Sequence, residues 1–116
     1  MTVKQTKKSI EKGLATKILN RVRSYEGFRF NKAPGDYTGK TAYSLTEFSS
    51  ILQSVNIKSI NYHFKRGDFQ RWLQNIIGDT ELSNKLRKIP KDLHGEKLRV
   101  ALVRMVSERI TELKLV

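Results

Sequence analysis

Several residue types that support common chemistries are scarce or missing from this sequence. Its 116 residues include no cysteine, which excludes disulfides, a thiol nucleophile and thiolate metal ligands. The two histidines, His63 and His94, are far apart in the sequence, so we expect no metal site and no cofactor. No apolar run approaches membrane-spanning length, and the first residues lack the apolar core of a secretory signal. We therefore predict a cytoplasmic protein, free or associated with the nucleoid, that makes no membrane contact.

Acidic residues are also few. The chain has 23 lysines and arginines against 11 aspartates and glutamates, which gives a net charge of +12. A small domain this basic favours a partner with dense negative charge, nucleic acid before anything else, rather than a small-molecule substrate. The alternative is that the charge serves only solubility. Hydrophobic and charged contents of 38% and 29% are typical of a globular chain.

The patterning predicts an α+β fold that is mostly helical, with a short β-hairpin packed on about five helices. Residues 1–8 are polar and basic and are expected to form a flexible tail, and residues 9–116 a single domain. Residues 28–30 alternate apolar and charged side chains, residues 33–36 contain Pro-Gly-Asp turn chemistry, and residues 37–43 can return as a second strand. Two aromatic rings would then share one face of the hairpin.

Helix boundaries are marked by short polar residues and glycines. Ser44 and Glu47 have the spacing of a capping box, and Gly67 can end one helix before Asp68 caps the next. The longest helix is predicted over residues 96–115. Its broad apolar surface has two explanations, the centre of the monomer core or a dimer interface. For the dimer interface we expect Leu98, Leu102, Met105, Val106, Ile110 and Leu113.

The candidate binding residues combine flat rings with cations. Rings can stack on nucleic-acid bases, and lysines and arginines can contact phosphates. The same rings can instead fill the core, and the strands do not decide between these two roles. The predicted nucleic-acid-binding residues are Lys17, Arg21, Phe28, Arg29, Phe30, Lys32, Tyr37, Lys40, Tyr43, Lys65, Arg66, Arg71 and Trp72.

An enzyme is not predicted. His63 has no aspartate or glutamate at a spacing that would orient it for acid–base catalysis. Glu47, Asp68 and Asp79 are each placed to cap a helix, and a cluster of anions would conflict with a basic binding face. We therefore expect no catalytic residues.

From Phe28 to about Ile110, the order and spacing of residues resemble a small archaeal and bacterial domain of unknown function. The resemblance covers an S-L-x-E-F helix start, a Y-H pair, a D-F-x-x-W segment and a G-D-x-E-L helix start. The matching residues are Ser44, Leu45, Glu47, Phe48, Tyr62, His63, Asp68, Phe69, Trp72, Gly78, Asp79, Glu81, Leu82 and Leu86. The resemblance implies no activity. The overall layout is also similar to the ThermoDBP family of archaeal single-stranded nucleic-acid-binding proteins, which implies a basic domain, an aromatic cleft and a dimerising C-terminal helix.

These observations predict a sequence-tolerant nucleic-acid-binding protein, a homodimer that prefers single-stranded DNA or RNA. Two alternatives stay open. The helices around Gly67 could form a duplex-binding unit of the helix-turn-helix or chromatin type, with Arg71 entering a groove. The chain could also be a protein-interaction or assembly module.

Overall fold

A two-stranded hairpin lies against a group of six helices in the computed structural model, which describes residues 10–116. This arrangement confirms the mostly helical α+β fold. The predicted tail, residues 1–8, lies outside the described residues. In chain order the elements are α1 (Lys12–Leu19), a 3-10 turn (Ser24–Glu26), β1 (Phe28–Asn31), β2 (Tyr37–Ala42), α2 (Leu45–Leu52), α3 (Ile57–Arg66), α4 (Asp68–Trp72) with a π-helical turn (Leu73–Ile77), α5 (Thr80–Arg87) and α6 (Gly95–Lys114).

Local sequence explains where several helices begin and end. The Ser44 hydroxyl accepts a hydrogen bond from the Glu47 backbone N–H at 3.1 Å, as the capping pattern predicts. Gly67 ends α3 with φ +77°, a conformation that glycine adopts without a steric penalty. The expectation that Asp68 caps α4 is wrong. This helix begins at Asp68 without a side-chain cap, because the Asp68 carboxylate is hydrogen bonded to other side chains.

The hairpin places alternate side chains on its two faces. Phe28 pairs with Ala42 and Phe30 with Lys40, and both phenyl rings face the helices while Arg29 is exposed on the other side. β1 contacts α3 and β2 contacts α2. The hairpin therefore has a covered inner face and an open outer face.

The long helix α6 is the centre of the core. It packs against α1, α2, α3 and α5, and Leu98, Leu102, Val106, Ile110 and Leu113 are buried by these neighbours. The expectation that these five residues pair with a second copy is therefore wrong, because their apolar surface is already covered within one chain. Met105, the sixth predicted dimer residue, is half-buried on the same helix. The alternative, a central helix of the monomer core, is confirmed.

A buried ion pair joins α6 to the start of α5. Arg109 donates to both carboxylate oxygens of Asp79, from Nε at 2.8 Å and from NH2 at 3.0 Å. The two side chains are 4% and 1% exposed. Asp79 also accepts the Leu82 backbone N–H at 3.1 Å, which confirms its role as the cap of α5. One carboxylate thus satisfies a helix N-terminus and a buried guanidinium together.

Candidate nucleic-acid interface

The aromatic residues divide by type between the interior and the surface. All five phenylalanines and the single tryptophan are buried. Phe28 lies at the centre of this cluster, with ring centroids 4.8 Å from Phe30 and 5.6 Å from Trp72. The Trp72 indole N–H donates to the Glu26 carbonyl at 2.8 Å, which also satisfies its one polar atom. The expectation that Phe28, Phe30 and Trp72 offer open ring faces is therefore wrong.

Tyrosines supply the accessible rings, and each of the four lies beside an arginine. The Arg29 guanidinium is 3.8 Å from the centroid of the Tyr37 ring, and the Arg21 guanidinium is 5.0 Å from that of Tyr43. Two more pairs follow the same rule: Arg23 donates to the Tyr25 hydroxyl at 3.0 Å, and the Arg66 guanidinium lies 5.2 Å from the Tyr62 ring centroid. Cation–π contact restrains a guanidinium over a ring while its N–H groups remain free for other acceptors.

Two of these pairs share the outer face of the hairpin. Arg29 is opposite Thr41 in the strand register, and the Thr41 and Tyr37 hydroxyls are hydrogen bonded at 2.6 Å. The Tyr43 ring and the Thr41 methyl group both lie over Gly27, so Tyr43 shares this face. We call Arg21, Arg29, Tyr37, Thr41 and Tyr43 the tyrosine face.

Two residues of the tyrosine face, Thr41 and Tyr43, pack directly against Gly27. A Cβ at Gly27 would lie 2.7 Å from the Tyr43 ring and 2.8 Å from the Thr41 methyl group, closer than real Cβ contacts allow. Because Gly27 has no side chain, both residues can approach the backbone just before β1. This close approach is the reason that position 27 requires glycine.

One end of the tyrosine face holds an internal carboxylate. Glu47 accepts from Arg21 NH1 at 2.6 Å through Oε2, and from the Tyr43 backbone N–H at 2.8 Å through Oε1. The hydrogen bond from Tyr43 and then that from Arg21 lower the pKa of Glu47 below its ordinary value. Glu47 is therefore ionised at neutral pH.

The remaining predicted cations lie at different places. Lys40 is exposed on β2, and Lys32 follows β1 with its ammonium 3.9 Å from the Asp36 carboxylate. Lys32 can border the tyrosine face, and Lys40, which is opposite Phe30 in the strand register, can reach it only around the edge of the hairpin. Lys17 does not: it lies on α1 with its Nζ near Gly78, at the turn between α4 and α5.

The turn between α3 and α4 contains Lys65, Arg66 and Arg71, but two of these cations are already paired. The Asp68 carboxylate accepts from Arg66 Nε at 3.0 Å and from Arg71 NH2. It also accepts from Nδ1 of buried His63 at 2.8 Å. Burial alone would raise the pKa of Asp68, but the hydrogen bonds from His63 and Arg66 lower it. This turn is therefore less free to bind phosphate than its composition indicates.

His63 has an orienting carboxylate, contrary to the sequence-based expectation. Asp68 is five residues away and is brought back by the left-handed turn at Gly67. His63 Nε2 accepts the Asn31 backbone N–H at 2.9 Å, so the imidazole is neutral with its proton on Nδ1. Burial lowers the pKa of His63. Because both nitrogens are occupied, this pair connects the hairpin to α3 and α4 and has no free nitrogen for catalysis.

Residues 4–107 match a family of unknown function, DUF5752. The chain belongs to this family. The match agrees with the resemblance to a domain of unknown function and carries no activity with it. Searches of curated proteins and of solved structures find no match.

Two further observations concern metal binding and membrane-spanning helices. Within residues 10–116, no group of three or more histidine, aspartate or glutamate side chains is placed to hold a metal ion. None of the helices in the same residues is long and apolar enough to cross a membrane.

The tyrosine–arginine pairs are the feature that sequence reasoning missed. Their partners are separated by eight residues in Arg29–Tyr37 and by 22 in Arg21–Tyr43. The hairpin register brings the first pair together, and the hydrogen bond from the Val22 N–H to the Tyr43 carbonyl brings the second together. A usable signal was present, because tyrosine carries a hydroxyl that favours a wet surface whereas phenylalanine does not.

Proposed function

We propose that this protein binds nucleic acid in a sequence-tolerant manner through the tyrosine face, with single-stranded DNA or RNA preferred over duplex. The observation that carries the proposal is the Arg29 guanidinium stacked 3.8 Å from the Tyr37 ring on the open side of the hairpin. Tyrosine rings and guanidinium planes are the surfaces on which unpaired bases stack, and guanidinium N–H groups bind phosphate. The net charge of +12 supports the same proposal.

The binding mechanism has two steps. The positive field of the protein first captures the phosphate backbone, with Arg29, Lys40 and Lys32 closest to the hairpin. Exposed bases then stack on the plane formed by Tyr37 with Arg29 and on the Tyr43 ring, each stacked base contributing about 1–3 kcal/mol. A duplex keeps its bases stacked on one another and cannot use this second step, which is the physical reason for the single-strand preference.

Salt dependence tests the electrostatic step. Three phosphate contacts, made by Arg29, Lys32 and Lys40, correspond to a slope of log K against log salt of about −2.1 for a single strand. Affinity would then fall about 20-fold between about 50 and about 200 mM salt. A flat profile would favour the protein-interaction alternative.

The decisive experiment is an anisotropy titration of labelled single-stranded DNA, single-stranded RNA and duplex DNA with the wild type and matched variants. Arg29→Gln removes the stacked cation, and Tyr37→Leu removes the ring beneath it. We expect each to weaken single-strand binding about 10- to 100-fold, the range for one lost stacking or charge-assisted contact.

Arg104→Gln is the matched control. Arg104 is exposed on α6, a helix that packs on other helices, and its replacement removes the same charge. We expect its affinity to stay within about two-fold of wild type, because one distant charge is screened at physiological salt. Equal losses in Arg29→Gln and Arg104→Gln would contradict a localised site, and tighter binding of duplex would contradict the stacking step.

A further inference from the structure

The Glu47 carboxylate lies at the Arg21 end of the tyrosine face. Its carboxylate joins a guanidinium and a main-chain N–H, Arg21 NH1 at 2.6 Å and Tyr43 N at 2.8 Å. A phosphate group bound at the same place would use the same two kinds of donor. The Arg21 and Glu47 side chains are 63% and 40% exposed, so an incoming anion can reach both.

We propose that Glu47 acts as an internal competitor for backbone phosphate, so that a strand occupies the Arg21 end of the tyrosine face only after displacing the Glu47 carboxylate from Arg21. This inference rests on the proposed function and adds its regulation. Arg29, at the other end of the face, has Tyr37 as its stacking partner and no carboxylate in the contacts described for residues 10–116. The two ends therefore differ: the Arg29 end is open to the first phosphate, and the Arg21 end is occupied.

The carboxylate can leave Arg21 without unfolding its helix. The Ser44 hydroxyl caps α2 through the Glu47 backbone N–H, a contact that does not involve the carboxylate. Only Oε2 contacts Arg21, while Oε1 holds the Tyr43 N–H, so rotation about the last side-chain bonds is enough to release the guanidinium. Exposed ion pairs of this kind contribute little to stability and exchange readily with other partners.

Glu47→Gln separates competition from structure. The amide oxygen can still accept the Tyr43 N–H, so the start of α2 is retained while the charge that holds Arg21 is removed. We expect single-strand binding to become about five-fold tighter, the upper range for one exposed ion pair. We also expect the salt slope to become steeper by about 0.7, the value for one additional phosphate contact.

Two further variants complete the test. Glu108→Gln removes the same charge from an exposed site on α6. Among the contacts of residues 10–116 its carboxylate does not pair with Arg21, so we expect less than about a two-fold change from its screened charge. In an Arg21→Ala background Glu47→Gln should have no effect, since the contested cation is gone. A urea unfolding curve for each variant confirms that the fold is retained.

The outcomes distinguish this inference from the proposed function. If the wild type binds single strands and Glu47→Gln binds them no more tightly, the inference that Glu47 competes with phosphate is wrong. The proposed function is then unaffected. A gain that Glu108→Gln matches, or that persists in Arg21→Ala, also overturns it, because net charge would explain the effect. If neither the wild type nor Glu47→Gln binds any strand, the proposed function fails and the inference fails with it.

Discussion

The buried pair between Arg109 and Asp79 allows the sharpest prediction about stability. Replacing Arg109 with methionine keeps an unbranched apolar stem but removes the guanidinium from both Asp79 oxygens, at 2.8 and 3.0 Å. Asp79 is then a buried carboxylate without a counter-ion. Breaking such a pair costs about 3–5 kcal/mol, against a total free energy of unfolding of about 5–15 kcal/mol for a typical domain.

The charge state of the pair supports this magnitude. Burial would lower the pKa of Arg109, but the hydrogen bonds to Asp79 and Glu112 outweigh it and raise the pKa, so the guanidinium stays charged. Arg109 NH1 also contacts Glu112 at 3.1 Å and Glu81 at 3.4 Å. The loss therefore reaches beyond one contact, although these two glutamates are exposed and contribute less.

Urea unfolding followed by circular dichroism measures the effect as a change in midpoint at constant slope. Arg104→Met, on the exposed side of the same helix, is the control and should change the free energy by less than about 0.5 kcal/mol. Combining Arg109→Met with Asp79→Asn should recover part of the loss, because the amide is neutral and its oxygen can still cap α5. A loss below about 1 kcal/mol in Arg109→Met, or no recovery in the double variant, would refute the reasoning.

Two other predictions concern the hairpin. Because burial lowers the pKa of His63, the unfolded chain binds its proton more readily, so stability is full above about pH 6.5 and falls as the pH drops below that value. His63→Gln should flatten this dependence in urea unfolding, and an unchanged pH profile would contradict the assignment. Gly27→Ala should displace Tyr43 and Thr41, and we expect it to weaken binding of single-stranded nucleic acid more than it lowers the free energy of unfolding. An unaltered affinity would show that the tyrosine face tolerates the displacement of these two side chains.

The features that could be predicted from sequence are those set by near neighbours in the chain. The hairpin, the Ser44 cap and the end of α3 at Gly67 each depend on a few adjacent residues, and all three are present. The last helix, predicted over residues 96–115, spans Gly95–Lys114.

Contacts between distant residues are where the sequence reasoning was limited. Strand alternation indicates that Phe28 and Phe30 share a face, but only the helices show that this face is the buried one. Arg109 breaks an apolar pattern in the sequence, and its partner Asp79 is 30 residues away. Arg21 likewise meets Glu47 across 26 residues. In each case the packing of the fold, and not the spacing of the two residues in the sequence, brings the partners together.

The division of rings between interior and surface has an optical consequence. The single indole is enclosed near the phenyl cluster, so its emission follows the integrity of the core and should stay constant while ligand is added. The phenols at the solvent boundary emit at a shorter wavelength than the indole, and those beside guanidinium groups should respond to ligand first. One unlabelled sample can thus report folding at one wavelength and occupancy at another.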